Sequence, residues 1–301
     1  MPGSDVHDMS YYAKCMVGGI LSCGITHTLV CPLDIIKCRK QVNPTLYKSV
    51  GDGFSTIYRT EGFRGLTVGW APTFIGYSMQ GFGKFGFYEM FKDVYKTAFG
   101  VNAAKYQTFG FLLSSACAEV IADCFLAPME ALKVRMQTAD KGTFTTSFTK
   151  GFSQIKANEG MNGFYKGLSP LWMRQVPYTM VKFAAFENTV KAFYQYIFTN
   201  PRDTYSKNFQ LMITFLSGYW AGIFCAVVSH PADVMVSILN KKSSDAPVLQ
   251  QVKGIYGEIG FKGLWNGLGA RIVMVGTLTG LQWWIYDSFK VACGLQTTGG
   301  K

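Results

Sequence analysis

Charged residues are scarce in this chain of 301 residues, because Asp, Glu, Lys and Arg together make up only 16% of it. In soluble domains the charged share is about a quarter. Hydrophobic residues account for 49% of the chain, and glycine occurs 33 times. Glycine is more frequent in membrane helices, where it lets neighbouring helices approach closely. The composition therefore argues against an ordinary soluble domain and favours a membrane protein built from packed helices.

Familiar catalytic fingerprints are also missing. The sequence contains no G-x-S-x-G turn, P-loop, H-E-x-x-H zinc motif or dinucleotide-binding glycine string. We therefore expect no enzymatic centre and no cofactor. A structural or receptor protein of the membrane remains an alternative, although it would not account for the charge pattern described below.

No C-x-x-C pair occurs among the eight cysteines, most of which lie in apolar segments. We expect them to be reduced thiols that serve as small packing residues. The N-terminus shows no signal peptide, and Asp5 and Asp8 argue against an Arg-rich transit peptide there. The net charge of +11 is spread over the whole chain, so no nucleic-acid-binding patch stands out. Anionic lipid or an anionic substrate fits this charge better.

Three motifs each occur three times along the chain. The copies are P-L-D-I-I-K from Pro32, P-M-E-A-L-K from Pro128 and P-A-D-V-M-V from Pro231; glycine-rich strings from Glu61, Glu159 and Gly260; and Y-E-M-F-K from Tyr88, F-E-N-T-V-K from Phe186 and Y-D-S-F-K from Tyr286. The period of about 100 residues is too long for a solenoid. We expect one domain, 1–301, with repeats at about 11–98, 105–197 and 207–293 around a pseudo-threefold axis.

Each repeat predicts two long helices. The first of each pair covers roughly 11–40, 106–138 and 208–240, and the second roughly 71–95, 170–196 and 269–292. Each helix is interrupted by polar residues, which are costly in lipid unless they face a shared interior. The expected fold is an all-α membrane protein with six transmembrane helices around a central cavity. Small residues before each proline, such as Gly18 and Gly19, predict close helix seams.

Acids and bases recur at both ends of these helices. After the prolines come the acids Asp34, Glu130 and Asp233 and the bases Lys37 and Lys133, with Val236 in the third basic position. In the closing motifs stand Glu89 with Lys92, Glu187 with Lys191 and Asp287 with Lys290. The pattern predicts two incomplete rings of ion pairs, one at each end of the cavity. Two such rings, closing in alternation, describe a transporter.

The cavity between the rings is predicted to bind a small anion. Its cations are Lys84, Arg174 and Lys182, and its hydrogen-bonding groups are Gln80, Gln175, Tyr178 and Gln282. Point charges together with an Arg fork suit a small oxyanion. Aligned on the prolines, His27 and Asp123 share one level, with Glu119 about one turn away. Carboxylates would repel an anion, so we expect these three residues to carry a proton.

The combined motifs resemble the mitochondrial carrier family over nearly the whole chain, about residues 11–292. The resemblance implies a monomer in the mitochondrial inner membrane, in contact with lipids such as cardiolipin, with both termini facing the intermembrane space. It also implies short matrix helices near 50–60, 147–158 and 248–258. It makes the proline-side ring the matrix gate, with Asp34 meeting Lys133, Asp233 meeting Lys37, and Glu130 facing Val236 without a partner. The opposite ring becomes the cytoplasmic gate.

Further strings resemble the phosphate-carrier branch of that family. They are T-H-T from Thr26, A-E-V-I-A-D from Ala118, G-Y-S-M-Q-G-F-G-K-F-G from Gly76, R-Q-V-P-Y from Arg174, S-H-P-A-D from Ser229 and V-G-T-L-T-G-L-Q from Val275. The resemblance implies import of inorganic phosphate with a proton, or in exchange for hydroxide. Two alternatives stay open: another small anion, or copper on a path through Cys23, His27 and Cys31, since thiolate and imidazole ligands suit Cu(I).

Overall fold

Long helices dominate the structure, a computed structural model that describes residues 7–43, 45–100, 102–138, 143–241, 248–265 and 267–299. Within these ranges the side chains of 40–42, 232, 233, 236–241, 248, 249, 251, 252 and 270 are not described. No strand occurs in the described residues, so the all-α prediction is confirmed.

The helices follow the predicted order. They are α1 Met9–Val42, α2 Val50–Leu66, α3 Trp70–Phe99, α4 Asn102–Lys105, α5 Gln107–Thr138, α6 Phe148–Glu159, α7 Asn162–Tyr165, α8 Leu168–Ala192, α9 Lys207–Lys241, α10 Val248–Gly263 and α11 Leu268–Ala292. A π-helical turn, Phe193–Ile197, extends α8, and a 3₁₀ turn covers Arg202–Thr204. Helices α1, α5 and α9 begin the three repeats, and α3, α8 and α11 end them.

Apolar character differs between the first and second helix of each repeat. Within the described residues, three segments are long and apolar enough to cross a membrane: Met9–Arg39, Gln107–Thr138 and Lys207–Pro231. The second helices α3, α8 and α11 are of similar length but carry polar groups that include Lys84, Lys182 and Gln282. Those groups can be kept from lipid only if α3, α8 and α11 turn them toward the molecular axis.

The glycine-rich strings break the surface helices at equivalent positions. Gly62, Gly160 and Gly260 have φ values of 67°, 64° and 60°. A positive φ costs conformational free energy in a residue that has a side chain, whereas glycine adopts it without that cost. Each break redirects the chain from the surface helix toward the next long helix.

Ion pairs hold two of the three surface helices to the preceding long helix. Arg39 Nη1 lies 2.7 Å from Glu61 Oε1, and Arg135 Nη1 lies 2.6 Å from Glu159 Oε1. Hydrogen bonds from Lys166 and Arg135 hold the pKa of the Glu159 carboxyl below its usual value. In the third repeat the sequence has Ile238 and Ile259 in place of the Arg and the Glu. Both partners of the pair are therefore absent together, which avoids an unpaired charge.

Glycines bring several helix pairs into backbone contact, as the small residues predicted. A Cβ atom placed on Gly19 of α1 would lie 2.2 Å from the carbonyl oxygen of Gly81 in α3. A Cβ on Gly218 of α9 would lie 2.9 Å from the Cα of Gly280 in α11. Contacts this close leave no room for a side chain. The first and second helices of repeats one and three are thus fixed against each other.

Candidate functional site

The network at the proline end, where α1, α5 and α9 finish, centres on one buried lysine. Lys133 Nζ lies 3.5 Å from Asp34 Oδ2 on α1 and 3.0 Å from Glu130 Oε2 on its own helix. Glu130, which was expected to lack a basic partner from the next repeat, pairs within its own helix, because the i,i+3 spacing places Lys133 on the same helical face. The expected pair of Lys37 and Asp233 cannot be located, since the side chains of Asp233 and Val236 lie outside the described residues.

The network at the terminal end, where the first and the last described residues lie, also centres on one lysine. Lys92 Nζ lies 3.2 Å from Glu89 Oε1 and 2.8 Å from Glu187 Oε1 on α8. The hydroxyl of Tyr11 donates to Glu89 at 3.1 Å, and that of Tyr88 donates to Glu187 at 3.2 Å. This buried cluster joins repeats one and two across the axis.

Two predicted pairs of the terminal-end ring are replaced by other contacts. Lys191, expected to pair with Glu187, instead has its ammonium 4.6 Å from the ring centroid of Phe111. Asp287, expected to pair with Lys290, accepts hydrogen bonds from Thr214 Oγ1 at 2.8 Å and from Thr298. Lys290 also donates to Thr298 Oγ1, at 3.1 Å. Spacing alone did not predict these partners, because they come from outside the repeated motif.

Beneath this network three aromatic rings close the axis. Phe85, Phe183 and Trp283 each come from a different repeat, and their ring centroids are 5.4, 5.2 and 5.0 Å apart. All three side chains are fully buried. We call them the aromatic plug. The repeat alignment contains the signal for it, because each residue stands four positions before its acid, but the prediction considered only polar positions.

The centre of the molecule holds a first polar cluster, formed by α3 and α5. Lys84 Nζ lies 2.9 Å from Glu119 Oε2. Gln80 Nε2 donates to Glu119 Oε1 at 2.9 Å and to Asp123 Oδ1 at 3.0 Å. Glu119 and Asp123 are both fully buried, and Asp123 Oδ2 has no hydrogen-bond partner among the described residues. One lysine therefore faces two carboxylates, and Gln80 bridges them.

A second polar cluster lies where α1, α8 and α11 meet. Lys182 Nζ donates to Gln282 Oε1 at 3.2 Å. Gln282 Nε2 lies 3.1 Å from His27 Nε2 and 3.3 Å from Thr26 Oγ1. Within the described residues no hydrogen bond joins His27 to Glu119 or Asp123. The three residues predicted to carry the proton are thus divided between two clusters.

Tyr77 connects the second cluster to the proline end, and sequence reasoning missed it. Its ring stacks on the His27 imidazole with centroids 3.7 Å apart and planes 10° apart. Lys133 Nζ lies 5.1 Å from the centroid of the same ring. Tyr77 stands in the repeat position of Gln175 and Val275, so alignment could have marked it. It gives His27 a rigid aromatic neighbour.

The other predicted cavity residues lie on α8. Tyr178 has its ring centroid 5.5 Å from Lys182 Nζ. Gln175 is half-buried, and Arg174 is exposed and close enough to Glu130 for their charges to interact. Arg174 therefore lies toward the proline end, whereas Lys84 and Lys182 lie beside the aromatic plug. The cations form a path along the axis rather than a single ring.

The eight cysteines are free thiols, as expected. Cys23 and Cys31 are both buried, but they belong to separate hydrophobic clusters. Among the described residues no group of three or more His, Cys, Asp or Glu side chains could hold a metal ion. The copper hypothesis therefore gains no support from the geometry.

Comparison with known proteins matches the chain to one family and to named relatives. The family model described as "Mitochondrial carrier protein" matches residues 8–99, 105–197 and 207–295. A "Probable mitochondrial phosphate carrier protein" of Schizosaccharomyces pombe is 54% identical over 96% of this chain and 93% of that protein.

Two animal relatives are similar at nearly the same level. A "Phosphate carrier protein, mitochondrial" of Caenorhabditis elegans is 56% identical over 95% of this chain and 82% of its own length. The "Solute carrier family 25 member 3" of Homo sapiens is 52% identical over 93% of this chain and 76% of that protein.

Proposed function

Because the chain belongs to the mitochondrial carrier family, we propose that it imports inorganic phosphate into the matrix together with a proton, by alternating access. It is a multi-pass transporter of the mitochondrial inner membrane. The relatives from Schizosaccharomyces pombe and Caenorhabditis elegans are named phosphate carriers, and phosphate is the substrate that this cavity suits. The proline end is assigned to the matrix side and the terminal end to the cytoplasmic side.

One observation carries the proton role: a lysine facing the cavity is neutralised by a buried carboxylate. Lys84 Nζ lies 2.9 Å from Glu119 Oε2, so the charge of Lys84 is already compensated by a carboxylate before phosphate binds. Protonation of Glu119 would release the ammonium for a phosphate oxygen. Asp123, joined to Glu119 through Gln80, gives the proton a second position. Binding of the proton and of the anion would then require each other.

The membrane potential gives such coupling a purpose. The matrix side is negative, and it opposes an incoming anion by about 2.3 kcal/mol per charge per 100 mV. A proton carried with the anion cancels one of those charges and adds the energy of the pH gradient. Phosphate import without a proton would run against the potential.

The two networks and the plug supply the alternating barriers. Phe85, Phe183 and Trp283, which pack together beneath the Lys92 cluster, would form the barrier on the cytoplasmic side. For the cytoplasmic side to open, the aromatic plug and the Lys92 cluster must both separate. The network around Lys133 would then keep the matrix side closed. Simultaneous opening would dissipate the gradient that drives uptake.

We also assign the carrier as a monomer whose outer surface contacts lipid. Exposed large side chains on the long helices include Leu29, Phe109, Met173 and Phe224. A belt of this kind suits acyl chains, and the net charge of +11 suits anionic lipids such as cardiolipin.

The decisive experiment is phosphate uptake into liposomes that contain the purified protein, with the pH gradient on and off. We expect wild type to accumulate phosphate only when the liposome interior is alkaline. In His27→Ala the accumulation driven by the pH gradient should be at least about tenfold lower. Thr60→Ala, on the exposed face of α2, serves as the matched control. Gradient-driven accumulation by folded His27→Ala equal to wild type would contradict the role of His27. Uptake of copper without phosphate would support the alternative substrate.

A further inference from the structure

Gln282 lies between His27, which is assigned to the proton, and Lys182, which is assigned to phosphate. We propose that the Gln282 amide is a relay, which releases Lys182 for phosphate when His27 becomes protonated. The proposal rests on the proton-coupled function above and adds to it a positioning residue that connects the two cargoes.

The orientation of the amide follows from the chemistry of its neighbours. A lysine ammonium only donates hydrogen bonds, so the amide oxygen must face Lys182, at 3.2 Å. The amide nitrogen then faces His27 Nε2 at 3.1 Å and only donates. His27 Nε2 must therefore accept, which means that His27 is neutral with its proton on Nδ1. Ser22 Oγ donates to the backbone oxygen of Gln282 at 2.6 Å and fixes the residue against α1.

Protonation of His27 reverses this arrangement. A hydronium ion from the cavity forms the Nε2–H bond and leaves a water molecule. Two N–H donors then face each other at the distance of a hydrogen bond. Rotation of the amide by half a turn presents Oε1 to His27 and turns Nε2 toward Lys182. Lys182 loses its acceptor, and an oxygen of phosphate is the anionic group that can replace it.

The surroundings of His27 make proton and phosphate depend on each other. The cationic groups that act on its imidazole are Lys182 on α8, Lys133 on α5 and Lys84 on α3, and Tyr77 covers one face of the ring. These charges oppose a proton on His27 while the cavity lacks an anion, and a phosphate between Lys84 and Lys182 offsets them. By linkage, the proton favours phosphate as much as phosphate favours the proton.

Gln282→Leu removes the relay and keeps a side chain of similar length. The measurement is the KM of phosphate–phosphate exchange with equal pH on both sides of the liposome, over roughly pH 6 to 8. The ionisation of phosphate itself affects every variant equally, so the ratio of variant KM to wild-type KM isolates the protein. We expect this ratio to fall about tenfold as the pH rises, since Lys182 is recaptured only in wild type. Gln154→Leu on α6 is the matched control and should keep the ratio constant.

A second substitution keeps the proposal testable if Gln282→Leu does not fold. Gln282→Glu offers an acceptor oxygen to both neighbours at once, so Lys182 should stay captured and the KM should be high at every pH. If Gln282→Leu, or Gln282→Glu in its place, keeps the wild-type pH profile while wild type responds to a pH gradient, the relay is wrong and the proposed function stands. If wild type itself ignores the gradient, both are wrong.

The C-terminal residues 297–299 carry a separate inference, which does not depend on the proton. We infer that they form a latch that completes the closed network at the terminal end. The backbone nitrogen of Thr298 donates to Asp287 Oδ2 at 2.9 Å, and its hydroxyl donates to Asp287 Oδ1 at 2.6 Å. Thr297 accepts a hydrogen bond from Arg202 and donates to Gln210 Oε1 at 3.3 Å.

The latch spans two repeats. Thr298 binds α11 through Asp287, while a Cβ on Gly299 would lie 3.0 Å from the Cβ of Val190 and 3.2 Å from Glu187 Oε2 on α8. Thr297 and Thr298 are buried. The tail thus occupies the place that a base from the neighbouring repeat would fill in a complete ring. Separation of α8 from α11 requires the tail to leave.

A reversible crosslink tests the latch. The expected Cβ separation of 3.0 Å is shorter than the roughly 3.5–4.5 Å of a disulfide, and Gly299 has a φ of 74°, so the tail must shift away from α8 and relax its backbone for Val190→Cys and Gly299→Cys to form the bond. Oxidation of the double variant should lower phosphate uptake at least about tenfold, and reduction should restore it, whereas neither single variant should respond. A crosslinked protein that still transports at the wild-type rate would overturn the inference.

Thr298→Val tests the same inference without a crosslink. Loss of the hydroxyl weakens the closed state, so a larger fraction of carriers should be open to the cytoplasmic side. The KM for phosphate added on that side should fall about threefold, because apparent affinity scales with the competent fraction. Thr60→Val on α2 is the matched control. An unchanged KM in a folded Thr298→Val protein would contradict the latch even where the disulfide fails to form.

Discussion

Phosphate uptake should fall at least about a hundredfold when Glu119 is replaced by glutamine, and the protein should also lose stability. Glu119 is fully buried and is the carboxylate paired with Lys84, at 2.9 Å. The substitution leaves a buried ammonium without its counter-charge, which costs roughly 3 kcal/mol or more. Reconstituted uptake and the thermal unfolding of purified protein measure the two effects.

Asp123→Asn is the informative comparison. Its carboxylate accepts from Gln80 at 3.0 Å, and within the described residues it forms no ion pair. Asparagine keeps an acceptor oxygen, so unfolding should stay within a few degrees of wild type while the response to a pH gradient falls. A joint change of Lys84→Gln with Glu119→Gln should restore stability but not uptake. Equal destabilisation by Glu119→Gln and Asp123→Asn would contradict this division of roles.

Trp283→Ala should open a leak and destabilise the protein by about 3–5 kcal/mol. Trp283 is fully buried, stacks on Phe186 with centroids 3.6 Å apart, and completes the aromatic plug. Its removal leaves a cavity on the axis between the central polar clusters and the cytoplasmic side. Liposomes containing the variant should lose an imposed pH gradient faster than wild type in the absence of phosphate.

The neighbouring tryptophan provides the control. Trp284 is 42% exposed and does not belong to the plug. Trp284→Ala should keep the gradient at the wild-type rate and unfold at nearly the wild-type temperature. A Trp283→Ala protein that is as tight and as stable as the control would show that the plug is not a barrier.

Repetition explains how much of this molecule could be predicted from its sequence. Helix bounds followed from three aligned copies, so α5 was expected at 106–138 and observed at Gln107–Thr138. The breaks at Gly62, Gly160 and Gly260 and the close approach at Gly19 were encoded in the same way. A residue pattern that recurs at the same position in all three repeats rarely does so by chance. Such a pattern therefore predicts a structural feature more securely than a single occurrence.

What could not be predicted is which partner each polar group selects. Gln80 and Gln282 were expected to bind substrate, yet each bridges charged or titratable groups of the protein. Lys191 selects the face of Phe111, and Thr298 comes from a tail that no repeat contains. These choices depend on distances of a few ångströms between elements far apart in the chain, which spacing within one helix does not fix.

The glycine seams divide the carrier into bodies that differ from its repeats. Gly81 joins α3 to α1, and a Cβ on Gly83 would lie 3.1 Å from the Cα of Ala122, which joins α3 to α5. Gly218 joins α9 to α11, whereas α8 contains no glycine. The helices joined by the Gly81 and Gly83 seams carry His27, Lys84, Glu119 and Asp123, those joined by the Gly218 seam carry Gln282, and α8 carries Arg174 and Lys182. A bound anion contacts all three groups of helices at once. Its binding energy therefore favours the relative arrangement of helices in which all three groups reach it.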